Sequence, residues 1–234
     1  MWEIVYDTQM KRIYRLFNLI RQKGIKKVLG SARSYFYDLY FDYKYSVDTH
    51  SWVPVSKLDV DDSKKEHAVL YQATRVLPLR KLFKRVQIPK ENTLIDIGCG
   101  KGRVLLMAAE YGFEDVRGVE FSKSLCSIAN KNILKYRKST QTRTSFIVVN
   151  EDAAEYQYGD EDVFFLYNPF DEVILEKVLQ NISVSLKSRN RTIWMIYANA
   201  IHRKLIEKTM KIISVEDFNF FEFEFVVYEV ELAE

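Results

Sequence analysis

The chain has 234 residues and a formal net charge of +3, enough for one large domain or a domain with an appendage, and too weak a charge to argue for nucleic acid by itself. Apolar residues make up 47% of it, which excludes global disorder. Its two cysteines, Cys99 and Cys126, form no CxxC pair, which excludes a disulfide scaffold and gives no zinc site, so no metal is expected and a reducing, cytoplasmic setting fits. Glu3 and Asp7 interrupt the start of the chain, no small-residue cleavage site follows an apolar run, and no run of about 18 apolar residues occurs, so neither a signal peptide nor a membrane span is expected. The total charge hides a polarity. Lys11 to Arg33 holds eight basic residues and no acid, while Ile213 to Glu234 holds seven acids and no base.

Residues 1–46 read as a basic, aromatic-rich helical arm. Ile13, Leu16, Phe17 and Ile20 recur at helical spacing among Lys11, Arg12, Arg15 and Arg21, and Gly24 and Gly30 interrupt the pattern. Tyr35, Phe36, Tyr37, Tyr40, Phe41, Tyr43 and Tyr45 then crowd together. Two readings stand: a cap whose aromatics dock on the main domain, or an arm that binds a membrane surface or a polyanion. Residues 47–90 form a second region, a polar loop to about 68 followed by a helix from Ala68 to Arg85 with a break near Pro78. Residues 91–234 form the main domain. Strands are expected at Thr93–Ile97, Val116–Val119, Ser145–Val149, Val163–Tyr167 and Thr192–Tyr197, with helices at Val104–Tyr111, Ser122–Tyr136 and Glu172–Leu186 between them. That alternation implies a parallel sheet covered by helices on both faces. Lys211–Val215 and Phe221–Leu232 read as a closing antiparallel pair, with a bulge near Val226–Tyr228, where the parity of the glutamates slips.

The informative segment is Asp96-Ile97-Gly98-Cys99-Gly100-Lys101-Gly102, which places three of the chain's eight glycines between a buried strand and a helix. Glycines there admit a ligand against the backbone, and the helix N-terminus offers free N–H groups. A dinucleotide fingerprint needs a glycine where Arg103 stands, and a P-loop needs Lys-Ser/Thr after its last glycine, where Arg103-Val104 stands. What remains, D-x-G-x-G-x-G, resembles the first motif of the class I S-adenosylmethionine-dependent methyltransferases. Three further segments agree in order. Val119-Glu120-Phe121 ends the second strand with a carboxylate suited to ribose hydroxyls. Asn150-Glu151-Asp152-Ala153 matches the family's adenine position. Tyr167-Asn168-Pro169-Phe170 is similar, in part, to the (D/N)-P-P-(Y/F) signature of amino methyltransferases. Upstream, Tyr71-Gln72-Ala73-Thr74 resembles the segment before the core in lysine methyltransferases related to the histone enzyme Dot1. The superfamily also contains uncharacterised bacterial members of this type.

The resemblance implies a Rossmann-like, seven-stranded, mostly parallel sheet with an antiparallel C-terminal strand. It implies S-adenosyl-L-methionine as cofactor, held by Tyr71, Thr74, Asp96, Gly98, Cys99, Gly100, Gly102, Glu120, Phe121, Asp152, Ala153 and Asn168, with residues 47–90 covering the site. It places Asn168, Pro169 and Phe170 at the transferred methyl, with Asp171 and Glu172 following, and leaves His202 as a surface or core histidine. The expected reaction is methylation of an amino group on a protein or small molecule. Two rivals are an O-methyltransferase for a glycan or lipid precursor, held at a membrane by the basic arm, and a cofactor-binding module without catalysis. The acceptor itself is not identified by these residues, and nucleic acid is a weaker expectation because the arm's bases join no RNA-binding signature.

Overall fold

The computed structural model describes residues 24–51, 73–168 and 170–231. Their elements, in chain order, are α1 (Ile25–Tyr45), α2 (Val76–Arg85), β1 (Thr93–Ile97), α3 (Arg103–Tyr111), β2 (Asp115–Glu120), α4 (Lys123–Thr140), β3 (Ser145–Asn150), β4 (Val163–Leu166), α5 (Glu172–Ser188), β5 (Ile193–Ala198), α6 (Arg203–Thr209), β6 (Lys211–Phe220) and β7 (Phe223–Glu231). The strands form one sheet in the order β3-β2-β1-β4-β5-β7-β6. Neighbours from β3 to β5 pair in parallel, and β7 runs antiparallel to both β5 and β6. The sheet is therefore Rossmann-like and mostly parallel, as the alternating pattern requires. No described helix is long and apolar enough to cross a membrane.

The fully buried strands β1 and β4 lie at the centre, where a parallel sheet must be apolar on both faces. One face packs α1 to α4 through Phe41, Leu79, Leu82, Leu105 and Ile133. The other packs α5 and α6 through Leu175, Leu179, Ile182 and Ile206. Strand order reverses between β1 and β4. Open α/β sheets bind ligands at the carboxyl ends of the strands beside such a reversal.

Four local expectations are corrected. Gly30 does not interrupt α1, which runs unbroken from Ile25 to Tyr45; the phenylalanine at the β6–β7 tip, Phe221, lies in ordinary contact range of that position, and one helical glycine costs only about 1 kcal/mol. Pro78 does not break α2, which starts at Val76, so the proline falls in the first turn, where an N–H has no helical partner to lose. The bulge lies in β6, between Ile212 and Ser214, while β7 pairs continuously with β5. The glutamate parity misled because Phe225 to Tyr228 are buried on both faces of an interior strand, and the acids sit only at its ends. Lastly, the hairpin turn is Phe221-Glu222, both at positive φ of 57° and 64°, so β6 extends five residues past Val215. The helix α6 lacked a sequence signal because only Ile206 of its seven residues is buried. Residues 68–72, the expected start of the second helix, and Leu232 lie outside the described residues.

Candidate cofactor site

The chain leaves β1 and crosses the end of β2. Gly98 and Cys99 both donate backbone N–H to the Val119 carbonyl, at 2.9 and 3.1 Å. Gly98, Gly100 and Gly102 all take positive φ, 77°, 53° and 81°, a region that residues with a β-carbon rarely adopt. Gly102 donates back to Cys99 O at 2.8 Å and opens α3. The tight crossing presses Cys99 against β2: a β-carbon on Gly118 would fall 2.6 Å from the Cys99 Sγ. Gly118 is thus part of the loop's support, and its sequence signal was a glycine inside a strand, which marks close approach.

Two carboxylates stand behind the loop. Glu120 Oε2 accepts from Gly100 N and Oε1 from Ser122 N, both at 2.9 Å, so this buried side chain braces the glycine turn from the end of β2. Asp96, on β1 beside Gly118, is 2% exposed. Burial, and then the nearby charge of Glu120, push its pKa well above the ordinary carboxylate value. The same surroundings, burial first, push the Cys99 thiol up, so it stays protonated and unreactive.

The loop's own cations turn the other way. Lys101, buried, donates to Asp48 Oδ2 at 3.1 Å and to the Ser51 hydroxyl. Arg103, also buried, donates to Thr49 Oγ1 at 2.7 Å and to the Thr74 carbonyl at 3.1 Å, and lies 3.3 Å from Asp38 and 3.7 Å from Asp42. Asp38 also accepts from Val76 N and pairs with Arg75, both at 2.8 Å, which caps α2. Asn132 of α4 donates to the carbonyls of Asp48 and Lys101 at 2.9 and 3.0 Å. Sequence reasoning used Arg103 only to dismiss other motifs and gave Lys101 no role. Their partners lie 29 to 65 residues away in the chain, with no local signal to connect them.

The other strand ends complete the carboxyl edge. Asn150 donates to the carbonyls of Glu120 and Phe121, at 3.0 and 2.9 Å, and joins β3 to β2. Asp152 closes the following turn by accepting from Ala154 N at 3.0 Å, and buried Ala153 accepts from the Tyr158 hydroxyl at 3.0 Å. After β4, Asn168 is buried at a positive φ of 41°, and its Oδ1 accepts from the Tyr197 hydroxyl at 3.1 Å. Burial pushes the phenols of Tyr167 and Tyr197 up to about 12, so both stay protonated at neutral pH. Phe170 is partly buried against the second core. Asp171 N-caps α5, and His202 stands at the N-cap of α6. Thr74 is buried. Tyr71 and Pro169, two of the expected site residues, lie outside the described residues. Among the described residues no cluster of acids, histidines or cysteines is arranged to hold a metal ion.

A seven-stranded sheet of this order, with a three-glycine crossing at its reversal and a carboxylate at the end of β2, defines the class I methyltransferase fold. Residues 58–224 match the model of the family described as histone methylation protein DOT1, and the chain belongs to that family. It is an S-adenosylmethionine-dependent methyltransferase. Its fold is similar to that of the mitomycin 7-O-methyltransferase MmcR, with a TM-score of 0.53 and 13% identity over 67% of this chain and 53% of that one. Two further likenesses are weaker: StiE O-MT, with a TM-score of 0.49 and 14% identity over 68% and 74% of the two chains, and the magnesium protoporphyrin IX methyltransferase from Synechocystis PCC 6803 with bound SAM, with 0.48 and 13% over 67% and 81%. No curated protein matches the chain.

The residues present suit the cofactor. S-adenosylmethionine carries a sulfonium, an ammonium and two ribose hydroxyls, all attracted to carboxylates. Asp96 is desolvated beside a second acid, the electrostatic position that a cationic ligand relieves.

Proposed function

We propose that this chain transfers the methyl group of S-adenosylmethionine to an amino nitrogen of a protein or small molecule, with Asn168 orienting the acceptor. The observation that carries this reading is the chemistry around Asn168. The Tyr197 hydroxyl fixes the amide from one side, and Oδ1 retains a lone pair that can accept from an acceptor N–H. Tyr167 and Tyr197 are protonated phenols, and Asp171 is engaged with Ile174 N at the head of α5. A hydroxyl acceptor needs a strong base beside it, whereas an amine needs only to arrive neutral and aligned. The family's description, histone methylation, fits an acceptor within a protein.

In this reading Gly98, Cys99, Gly100 and Gly102 bring backbone against the cofactor, and Asp96 faces its methionine part with Tyr71 and Thr74. Glu120 and Phe121 serve the ribose, while Asp152 and the backbone N–H of Ala153 serve the adenine. Phe170 and Pro169 line the acceptor side. The cofactor supplies a methyl group already activated by the sulfonium. The protein's share is to hold the acceptor in line, about 3 Å from the methyl carbon.

The test is transfer of label from radioactive S-adenosylmethionine in a cell extract, sorted by acceptor size and by stability in alkali. Alkali-stable label on amino groups supports the reading, and label confined to esters or hydroxyl ethers overturns it. With the acceptor in hand, Asn168→Ala should keep cofactor affinity within about threefold and lower turnover by about 100-fold. Normal turnover of that variant at saturating cofactor would remove Asn168 from the acceptor site.

A further inference from the structure

Helix α1 presents two faces of opposite character. The inward face carries Ser34, Asp38, Phe41 and Tyr45, all buried. The outward face carries Ile25, Leu29, Phe36, Leu39, Tyr40 and Tyr43, all exposed, with Phe36 at 68% and Tyr43 at 83%. At 3.6 residues per turn these six fall within an arc of about 100°, along the whole length of the helix. Exposed Arg33 and Lys44 lie along one flank of that arc. A continuous apolar stripe of this kind on a solvated helix marks an interaction surface.

The charge pattern selects the partner. The acids of α1 are Asp38 and Asp42, and both are turned into the protein, their side chains 1% and 14% exposed, against Arg75, Arg103, Thr49 and His50. The solvent face of α1 therefore carries positive charge only. The same holds on the side of α4. Tyr45 packs on Tyr136, and Ser139 reaches the Tyr45 carbonyl, so α4 adjoins the C-terminal end of α1. Helix α4 contains no Asp or Glu from Lys123 to Thr140 and exposes Lys131, Lys135 and Lys138 beside Leu134.

We propose that α1 seats the protein on an anionic lipid bilayer, with the Ile25–Tyr43 stripe in the headgroup boundary and the basic flank and α4 over the lipid charges. Aromatic and aliphatic side chains mixed along one helix, with bases beside them, suit that boundary. A nucleic acid has no counterpart for Ile25, Leu29 and Leu39, and a second copy would bring two surfaces of like charge together. The inward anchors tie α1 to Arg103 of the glycine loop, so the seat is rigidly joined to the cofactor edge.

Flotation with vesicles tests this. The full chain should float with phosphatidylglycerol-rich vesicles, not with pure phosphatidylcholine, and release should increase as salt rises toward about 0.5 M. Phe36→Glu with Tyr43→Glu should lower vesicle partition about tenfold or more, while thermal unfolding and cofactor affinity stay as in the parent. Arg33→Glu with Lys135→Glu and Lys138→Glu is the second variant, which should also lose binding without touching the apolar stripe. Absence of flotation on anionic vesicles overturns the proposal, as does equal binding to neutral ones or an unchanged partition in the folded variants. A concentration-dependent dimer, or an oligonucleotide complex, abolished by Phe36→Glu with Tyr43→Glu in a protein that ignores vesicles, also overturns it.

Discussion

Asp96 holds a carboxylate beside a second acid and out of reach of bulk water, an arrangement that folding alone does not favour. Its pKa is raised in the fold above an unfolded value of about 3.9. The folded chain therefore binds the proton more tightly, and the group lowers stability as pH rises from the unfolded pKa through the folded one. Asp96→Asn should stabilise the ligand-free protein by roughly 1–3 kcal/mol at pH 8, and the gain should vanish near pH 4. The same variant should bind S-adenosylmethionine about tenfold or more weakly. Denaturant unfolding at the two pH values, paired with calorimetry, checks both halves; equal stability at pH 8 would remove the strain assigned to this residue. Asp96, Glu120 and the three glycines stood out in sequence because a buried strand, a glycine-rich crossing and a carboxylate ending the next strand are each local patterns, although the bond that joins Glu120 to Gly100 spans 20 residues. Gly118 carried only the general mark of a glycine inside a strand, since the atom that constrains it is the Sγ of Cys99 in the loop after β1.

At the scale of elements, α1 and the turn after it are fastened to the glycine loop by buried charges rather than by apolar packing alone. Arg103 joins Asp38, Asp42, Thr49 and Thr74 in one cluster. Taking one partner from such a cluster leaves the other charges buried and uncompensated, at a cost of about 3–5 kcal/mol. Arg103→Met should lose about that much stability in urea. Adding Asp38→Asn should then cost less than the sum of the two single changes, because the groups are coupled. Strict additivity, or a loss below about 1 kcal/mol, would mean that the cluster does not hold α1 in place. Helices α3, α4 and α5 and strands β1 to β5 were read from hydrophobic period, since burial on one stripe or on both faces leaves that period in the sequence. Gly30, Pro78 and the β7 parity misled for one reason: each was judged locally, while the tertiary environment decided the outcome.

The whole molecule gathers the ends of β1, β2, β3 and β4 on one edge, and the pairing of β1 with β4 sets Asp96 on the strand next to the one that leads into Asn168. The parallel sheet was legible from the alternation of elements and its seven strands from the family resemblance, whereas the strand order was not read from the sequence. The long-range fastening of the N-terminal helix to the cofactor loop was not, because ion pairs across 53 to 65 residues leave no pattern in the chain. Cofactor binding to the folded state alone should raise stability by about 2.7 kcal/mol at a ligand concentration a hundredfold above Kd. The most direct test of the account is titration calorimetry of the full chain with S-adenosylhomocysteine, parent against Glu120→Ala. The account predicts one site of micromolar affinity in the parent, on the order of −8 kcal/mol, and at least about tenfold weaker binding in the variant. No heat with the folded parent at about 100 μM ligand, or equal affinity in the folded variant, would contradict it.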